Sequence, residues 1–283
     1  MSLLSFRQVD VFSARPLMGN PLAVVLGADG ISDATMMALA RWTQLSETVF
    51  LQRPSHPDAD YRVRIFSPRG EMAFAGHPTL GACHAWLSTG GAPKGTDVIQ
   101  ECGIGLVRVR RENGLLSFLA PPLLRSAPFE PDVRVMIARG LGLDERDVAD
   151  ARWVDNGAQW RAVLLHDAEK LYRLSFDTAL LQGMKLGVVA PTPHNAEARY
   201  EVRALVFDSG LLEDPATGSL NAGIARWLAE AGKGADDYAI AQGRALGRDA
   251  RLHVRHAGGD VWIGGQVCDC IEGHIRLDAP VTL

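Results

Sequence analysis

The sequence predicts an α+β protein of two related lobes, each with several strands around one mostly apolar helix. Three observations carry this. The segment Phe66–Leu87 recurs in altered form at Phe207–Leu228: Phe66 and Phe207, Ala75 and Ala216, Trp86 and Trp227, and Leu87 and Leu228 are each 141 positions apart. Both copies follow a strand-like run (Tyr61–Phe66 and Tyr200–Phe207), then pass through a small polar turn into an apolar helical pattern. Finally, a chain of 283 residues, 47% apolar and 22% charged, is a globular composition with room for two ordinary domains.

The elements follow in order. Alternation predicts a strand over 6–12, a turn at Gly19-Asn20-Pro21 and a strand over 22–26. Ser32 reads as a helix cap with Asp33 in the first turn, and Met36, Met37, Leu39 and Ala40 follow at helical spacing. Strands are expected over 47–51 and 61–66, then a long helix over about 78–88. Two alternating runs, 104–110 and 114–119, read as a hairpin across Glu112-Asn-Gly114. Pro121-Pro122 cannot sit inside a paired strand and closes the first lobe. The expected division is 1–122, with residues from about 274 to 283 returning to it, and 123–273.

In the second lobe a helix is expected over 131–140, with strands at 151–155, 160–165 and 185–190. A Pro-rich loop, 191–195, precedes the second repeat and its helix over about 218–231, and the chain ends in strands at 251–255, 260–263 and 266–276. The two long helices are apolar on most sides, which predicts burial, each wrapped by its own sheet.

Composition narrows the function. A net charge of -4 with scattered arginines gives no nucleic-acid surface. No apolar run reaches the roughly 18 residues a membrane span needs, and the start lacks the charge and apolar core of a signal peptide, so the expected location is the cytoplasm. Cys83, Cys102, Cys268 and Cys270 lack metal-site spacing and read as small core residues.

The polar residues crowd into the two repeat turns: Arg69, Glu71, Gly76, His77 and Thr79 in the first, and Glu213, Asp214, Thr217, Gly218 and Ser219 in the second. A helix N-terminus offers unpaired N–H groups to an anion, and glycine lets a ligand approach the backbone. From the residues alone Thr79 and Ser219 also read as plain caps and His77 as a satisfied core histidine. Glu47 stands between apolar residues where a helix gives way to a strand. Withdrawal from water raises a carboxyl pKa and suits it to give and take a proton, although a surface glutamate at a strand end has the same pattern. Asp155-Asn-Gly157 reads as a turn. Gln159, Trp160, His194 and Asn195 lie in loops that could line a pocket or be ordinary loop positions.

Val9-Asp-Val-Phe12, Gly19-Asn-Pro21, Leu45-Ser-Glu-Thr48, Phe74-Ala-Gly-His-Pro-Thr79, Asp214-Pro-Ala-Thr-Gly-Ser219 and Gln242-Gly243 with Gly247-Arg248 together resemble the phenazine biosynthesis PhzF-like family, from residue 6 to about 276. The resemblance implies a diaminopimelate epimerase-like α+β fold: two pseudo-symmetric lobes, each a curled mixed sheet around a central helix, with the site in the cleft between them. It implies a homodimer, no cofactor and no metal. It also implies an isomerase that moves a proton on a small carboxylate, with Glu47 as acid and base, His77 and Asp214 as further catalytic residues, and Ser46, Gly76, Gly218 and Ser219 holding the carboxylate. Related racemases use two thiols near the helix starts. No cysteine falls there in this chain, which disfavours that chemistry. An amino-acid epimerase of unrelated substrate, or a non-catalytic binder of small anions, are the competing expectations.

Overall fold

The computed structural model describes residues 2–194, 196–208, 210, 212–234 and 237–277. Asn195 and residues 278–283 of the expected C-terminal return lie outside them. The chain divides into two compact units, Met1–Leu119 with Gly264–Leu283, and Ala120–Ile263.

The first unit opens with β1 (Ser2–Val11), β2 (Asn20–Leu26), α1 (Asp33–Thr43), β3 (Thr48–Gln52), β4 (Tyr61–Ser67) and β5 (Gly70–Met72). It continues with α2 (Gly76–Ser88), β6 (Val98–Cys102), β7 (Gly105–Glu112) and β8 (Leu115–Leu119). Ser32 caps α1 as expected, its hydroxyl accepting the Thr35 N–H. Asn113 and Gly114 both take positive φ, which closes the β7–β8 hairpin with the twist its strands need. The sheet is mixed: β2–β3 and β4–β6 run parallel, while β3–β4, β4–β5, β6–β7 and β7–β8 are antiparallel.

The second unit repeats this plan. It contains α3 (Pro131–Gly140), β9 (Val148–Trp153), β10 (Arg161–Leu165), α4 (Ala168–Leu171), β11 (Lys185–Pro191) and β12 (Tyr200–Val206). Then come β13 (Leu212–Asp214), α5 (Gly218–Glu230), β14 (Tyr238–Gln242), β15 (Ala250–Ala257) and β16 (Asp260–Gly265). Here β10–β11 and β12–β14 are parallel, and β11–β12, β12–β13 and β14–β15 antiparallel, strand for strand the pattern of the first unit. A last strand, β17 (Val267–Leu277), pairs antiparallel with β1.

Each unit has a central helix and an outer layer. Helix α2 packs on β1, β2, β3, β4, β6, β7, β8 and β17, and its residues from Gly76 to Cys83 are all buried. The outer face of that sheet is covered by α1 through Met36, Leu39 and Ala40 against Val25, Phe50 and Phe66. In the second unit α5 meets β11 at Leu220, where a Cβ on Gly187 would lie 2.5 Å from the leucine. Ile137, Ala138 and Leu171 of α3 and α4 close a second core with Leu186, Val188 and Leu205. Among the described residues no helix is long and apolar enough to cross a membrane.

The turns and helix starts of the repeat align at a spacing one residue longer than the sequence match, while the arginines on the strands before them, Arg64 and Arg203, are 139 apart. The paired helices begin at Gly76 and Gly218. Arg64 forks onto Glu71 (2.7 and 2.6 Å) and Arg203 onto Glu213 (3.0 and 2.7 Å). Glu71 and Glu213, like the helix starts, are 142 positions apart. Trp86 and Trp227 match by type only. Trp86 is half-buried and stacks on Tyr61 at 5.3 Å, whereas Trp227 is buried within α5.

Candidate active site

Glu47 is fixed by the way α1 hands over to β3. The helix ends at Gln44 in the left-handed region (φ 55°), and the Thr43 and Thr48 hydroxyls meet at 3.0 Å across the base of the loop. Thr48, wholly buried, starts a strand paired on both sides, to Ala23 and to Phe66. Glu47 therefore sits against an immobile strand end. Ser46, its neighbour, is exposed.

His77 is the second residue of α2. Gly76 before it has no room for a side chain, since a Cβ would fall 2.5 Å from Cζ of Phe118. The Thr79 hydroxyl donates to the Ala75 carbonyl (2.9 Å) and accepts from Nε2 of Gln100 (3.0 Å), while Oε1 of Gln100 takes the Tyr61 hydroxyl (2.9 Å). Gln100, fully buried, thus moors the turn to the sheet.

The Glu47 and His77 side chains meet. Oε2 of Glu47 lies 3.4 Å from Nε2 of His77, and the side chains are only 15% and 7% exposed. Burial pushes the His77 ring down to about 3, and the positive end of α2 acts in the same direction, so the ring is neutral at ordinary pH. The pair is a close contact of two buried polar atoms, and with the ring neutral no imidazolium ion pair forms.

The second turn is held by a matching clamp. Oε1 of buried Gln242 accepts the Thr217 N–H (3.1 Å) and Nδ2 of Asn221 (2.7 Å), and its Nε2 donates to the Asp214 carbonyl and the Thr217 hydroxyl (both 2.9 Å). The Thr217 hydroxyl donates to Oδ2 of Asp214. Gly218 and Ser219 are the first two residues of α5. Ser219 is bonded through its carbonyl to Asn156 and through its hydroxyl to Trp160.

The plain-cap reading of Thr79 and Ser219 is corrected. Ala75 and Thr217 occupy the cap positions, neither caps with its side chain, and Thr79 and Ser219 lie inside their helices. Glu71 and Glu213 leave the list of candidate reactive groups, because both are engaged by arginines. Gln100 and Gln242 were assigned no role from sequence: Gln100 stands alone on a strand with no local pattern, and Gln242 entered only as part of the Gln242-Gly243 motif. Asp155-Asn-Gly157 is more than a turn, since Asn156 reaches α5. Burial pushes the Cys83 and Cys268 thiols up to about 12, where they stay protonated. Among the described residues no group of three or more His, Cys, Asp or Glu side chains could hold a metal ion.

The profile of the phenazine biosynthesis-like protein family (PhzC-PhzF) matches residues 9–273. This chain belongs to that family. It is similar to antisense-enhancing sequence 1 of Schizosaccharomyces pombe, 33% identical over 95% of this chain and 97% of that one. It is similar to the trans-2,3-dihydro-3-hydroxyanthranilate isomerase of Pseudomonas aeruginosa, 31% identical over 88% and 89%. The crystal structure of a Bacillus anthracis phenazine biosynthesis protein of the PhzF family superposes with a TM-score of 0.82 at 21% identity, covering 98% of this chain and 100% of that one, a likeness of fold. The fold is diaminopimelate epimerase-like, and the family is isomerase- or epimerase-like.

Proposed function

We propose that this PhzF-family chain is a cofactor-independent isomerase that moves a proton on a small carboxylate substrate, with Glu47 as both acid and base. The observation that carries this reading is the 3.4 Å approach of Glu47 to a neutral, buried His77 at the tip of α2. Glu47 as carboxylate takes a proton from a substrate carbon, and the C–H electron pair enters the conjugated system. Glu47 as acid then returns the proton to another carbon, which restores the carboxylate and needs no further reactant. The neutral His77 ring donates a hydrogen bond to whichever oxygen gains charge.

In this reading Ser46, Gly76, Gly218 and Ser219 hold the substrate carboxylate, drawing on N–H groups at the first turns of α2 and α5. Asp214, fixed by the Thr217 hydroxyl and through its carbonyl by Gln242, contributes the remaining polar contact. A homodimer belongs to the same reading, and light scattering on the purified chain tests it.

The test of the chemistry is Glu47→Gln. The wild type incubated in D₂O with trans-2,3-dihydro-3-hydroxyanthranilate, the substrate named for the Pseudomonas relative, and with a panel of other unsaturated small carboxylates should place deuterium on carbon in at least one. Glu47→Gln should lose that exchange by about 10²-fold or more and keep its affinity. Exchange at the wild-type rate in the variant refutes the assignment.

A further inference from the structure

Ser219 is gripped twice by one segment of its own unit. Nδ2 of Asn156 donates to its carbonyl at 2.8 Å, and Nε1 of Trp160 donates to its hydroxyl oxygen at 3.0 Å. The segment that delivers these donors is rigid. Oδ1 of Asp155 accepts the N–H groups of Gly157 (2.8 Å) and Gln159 (2.7 Å), and the Val154 N–H bonds back to the Trp160 carbonyl at 3.1 Å. It also packs directly on α5, because a Cβ on Gly223 would lie 2.4 Å from the Val154 carbonyl oxygen. Trp160 itself is 4% exposed.

An indole N–H can only donate, and a hydroxyl has one proton and two lone pairs. With one lone pair of Ser219 taken by Trp160, its proton must point away from the indole, and no protein acceptor meets it among the described residues. The accepted bond also polarises the O–H and makes it a better donor. We infer that Trp160 is a positioning residue that turns Ser219 into a committed hydrogen-bond donor, so that this turn selects an unprotonated carboxylate oxygen. The inference rests on the proposed contact between Ser219 and the substrate carboxylate.

The experiment is a double-mutant cycle read by NMR titration with benzoate, using the full-length chain. Trp160→Phe keeps the ring and removes the donor, and it should weaken benzoate about 3- to 10-fold; Ser219→Ala should weaken it about 10-fold or more. The double variant should bind no worse than Ser219→Ala, because Trp160 acts only through that hydroxyl. Additive losses, or wild-type affinity in Trp160→Phe, overturn the inference. A merely structural role for Trp160 would weaken binding equally in the Ser219→Ala background.

If Trp160→Phe does not fold, the indole N–H resonance of Trp160 in the wild type must shift with benzoate, and a resonance that stays put overturns the inference. A wild type that takes no benzoate overturns both the inference and the proposed carboxylate contact. A Glu47→Gln protein that still exchanges deuterium while the cycle shows coupling removes the catalytic assignment and leaves the inference standing.

Discussion

Acid should destabilise this protein through one ring. In an unfolded chain His77 titrates near the ordinary value of 6.5, and in the folded protein burial pushes it down to about 3. Between those values the unfolded chain binds a proton that the folded one refuses. The contribution is fully present above pH 6.5 and is lost as pH falls toward 3. A gap of roughly 3.5 pH units at ~1.4 kcal/mol each bounds the whole effect at about 5 kcal/mol, of which about 2 kcal/mol is lost between pH 6.5 and 5. The assay compares urea midpoints of the wild type and His77→Gln across that window, and the difference between the two curves isolates the ring. If Glu47 instead held the ring as an imidazolium, the sign would reverse and His77 would stabilise the fold increasingly as pH fell. Parallel curves, or a His77 ring titrating near 6.5 by NMR in the folded protein, would refute the reasoning.

Three further outcomes follow from packing and pairing. Gly76→Ala drives a methyl to 2.5 Å from Phe118, which should cost about 1–3 kcal/mol in urea unfolding and lower kcat through the adjoining His77; trimming the ring with Phe118→Leu in the same chain should recover part of both. Gln242→Leu leaves the Thr217 N–H and the Asp214 carbonyl without their partner, at about 1–3 kcal/mol each, and hydrogen exchange at residues 217–221 should speed up before the rest of the unit loosens. The two arginine forks should differ: Arg203→Met strands Glu213, only 9% exposed, and should cost about 3–5 kcal/mol, whereas Arg64→Met leaves Glu71, 43% exposed, to water at under about 1 kcal/mol.

Much of the architecture was legible because a strand, a glycine turn and an apolar helix each leave a local pattern, and this chain writes the set twice. The register slipped by one because the sequence match follows side-chain type, Trp86 with Trp227, while the fold aligns the helix starts, Gly76 with Gly218. Short strands escaped for a related reason. β5 and β13, three residues each, are too brief for alternation to show, and β6 and β14 are little longer. In the candidate site Glu47 and His77 could be named because each sits in a motif. Their approach could not, since it depends on how α1, β3 and α2 pack. Gln100 stayed invisible, and Gln242, though part of a quoted motif, was given no role, because their partners lie far along the chain, Tyr61 for one and Thr217 for the other. Trp160 was visible as a loop residue, but its bond to Ser219 needs the folded second unit.

The corrected register changes what the repeat means. At a spacing of 142, Gly76 answers Gly218, Gln100 answers Gln242, Glu71 answers Glu213 and Thr79 answers Asn221, so matching positions pair in the two turns, although Gln100 donates to Thr79 where Gln242 accepts from Asn221. The same spacing sets His77 against Ser219, and there the likeness stops. The residue before β3 is Glu47, and the residue before β11 is Met184. The first unit therefore brings a carboxyl beside the neutral ring at its helix start, and the second places a hydroxyl bonded to Trp160 there. The two turns are thus moored at matching positions and carry different chemistry. The mooring residues are amides and not ionised groups: Gln100 and Gln242 satisfy buried donors and acceptors at once without burying a charge.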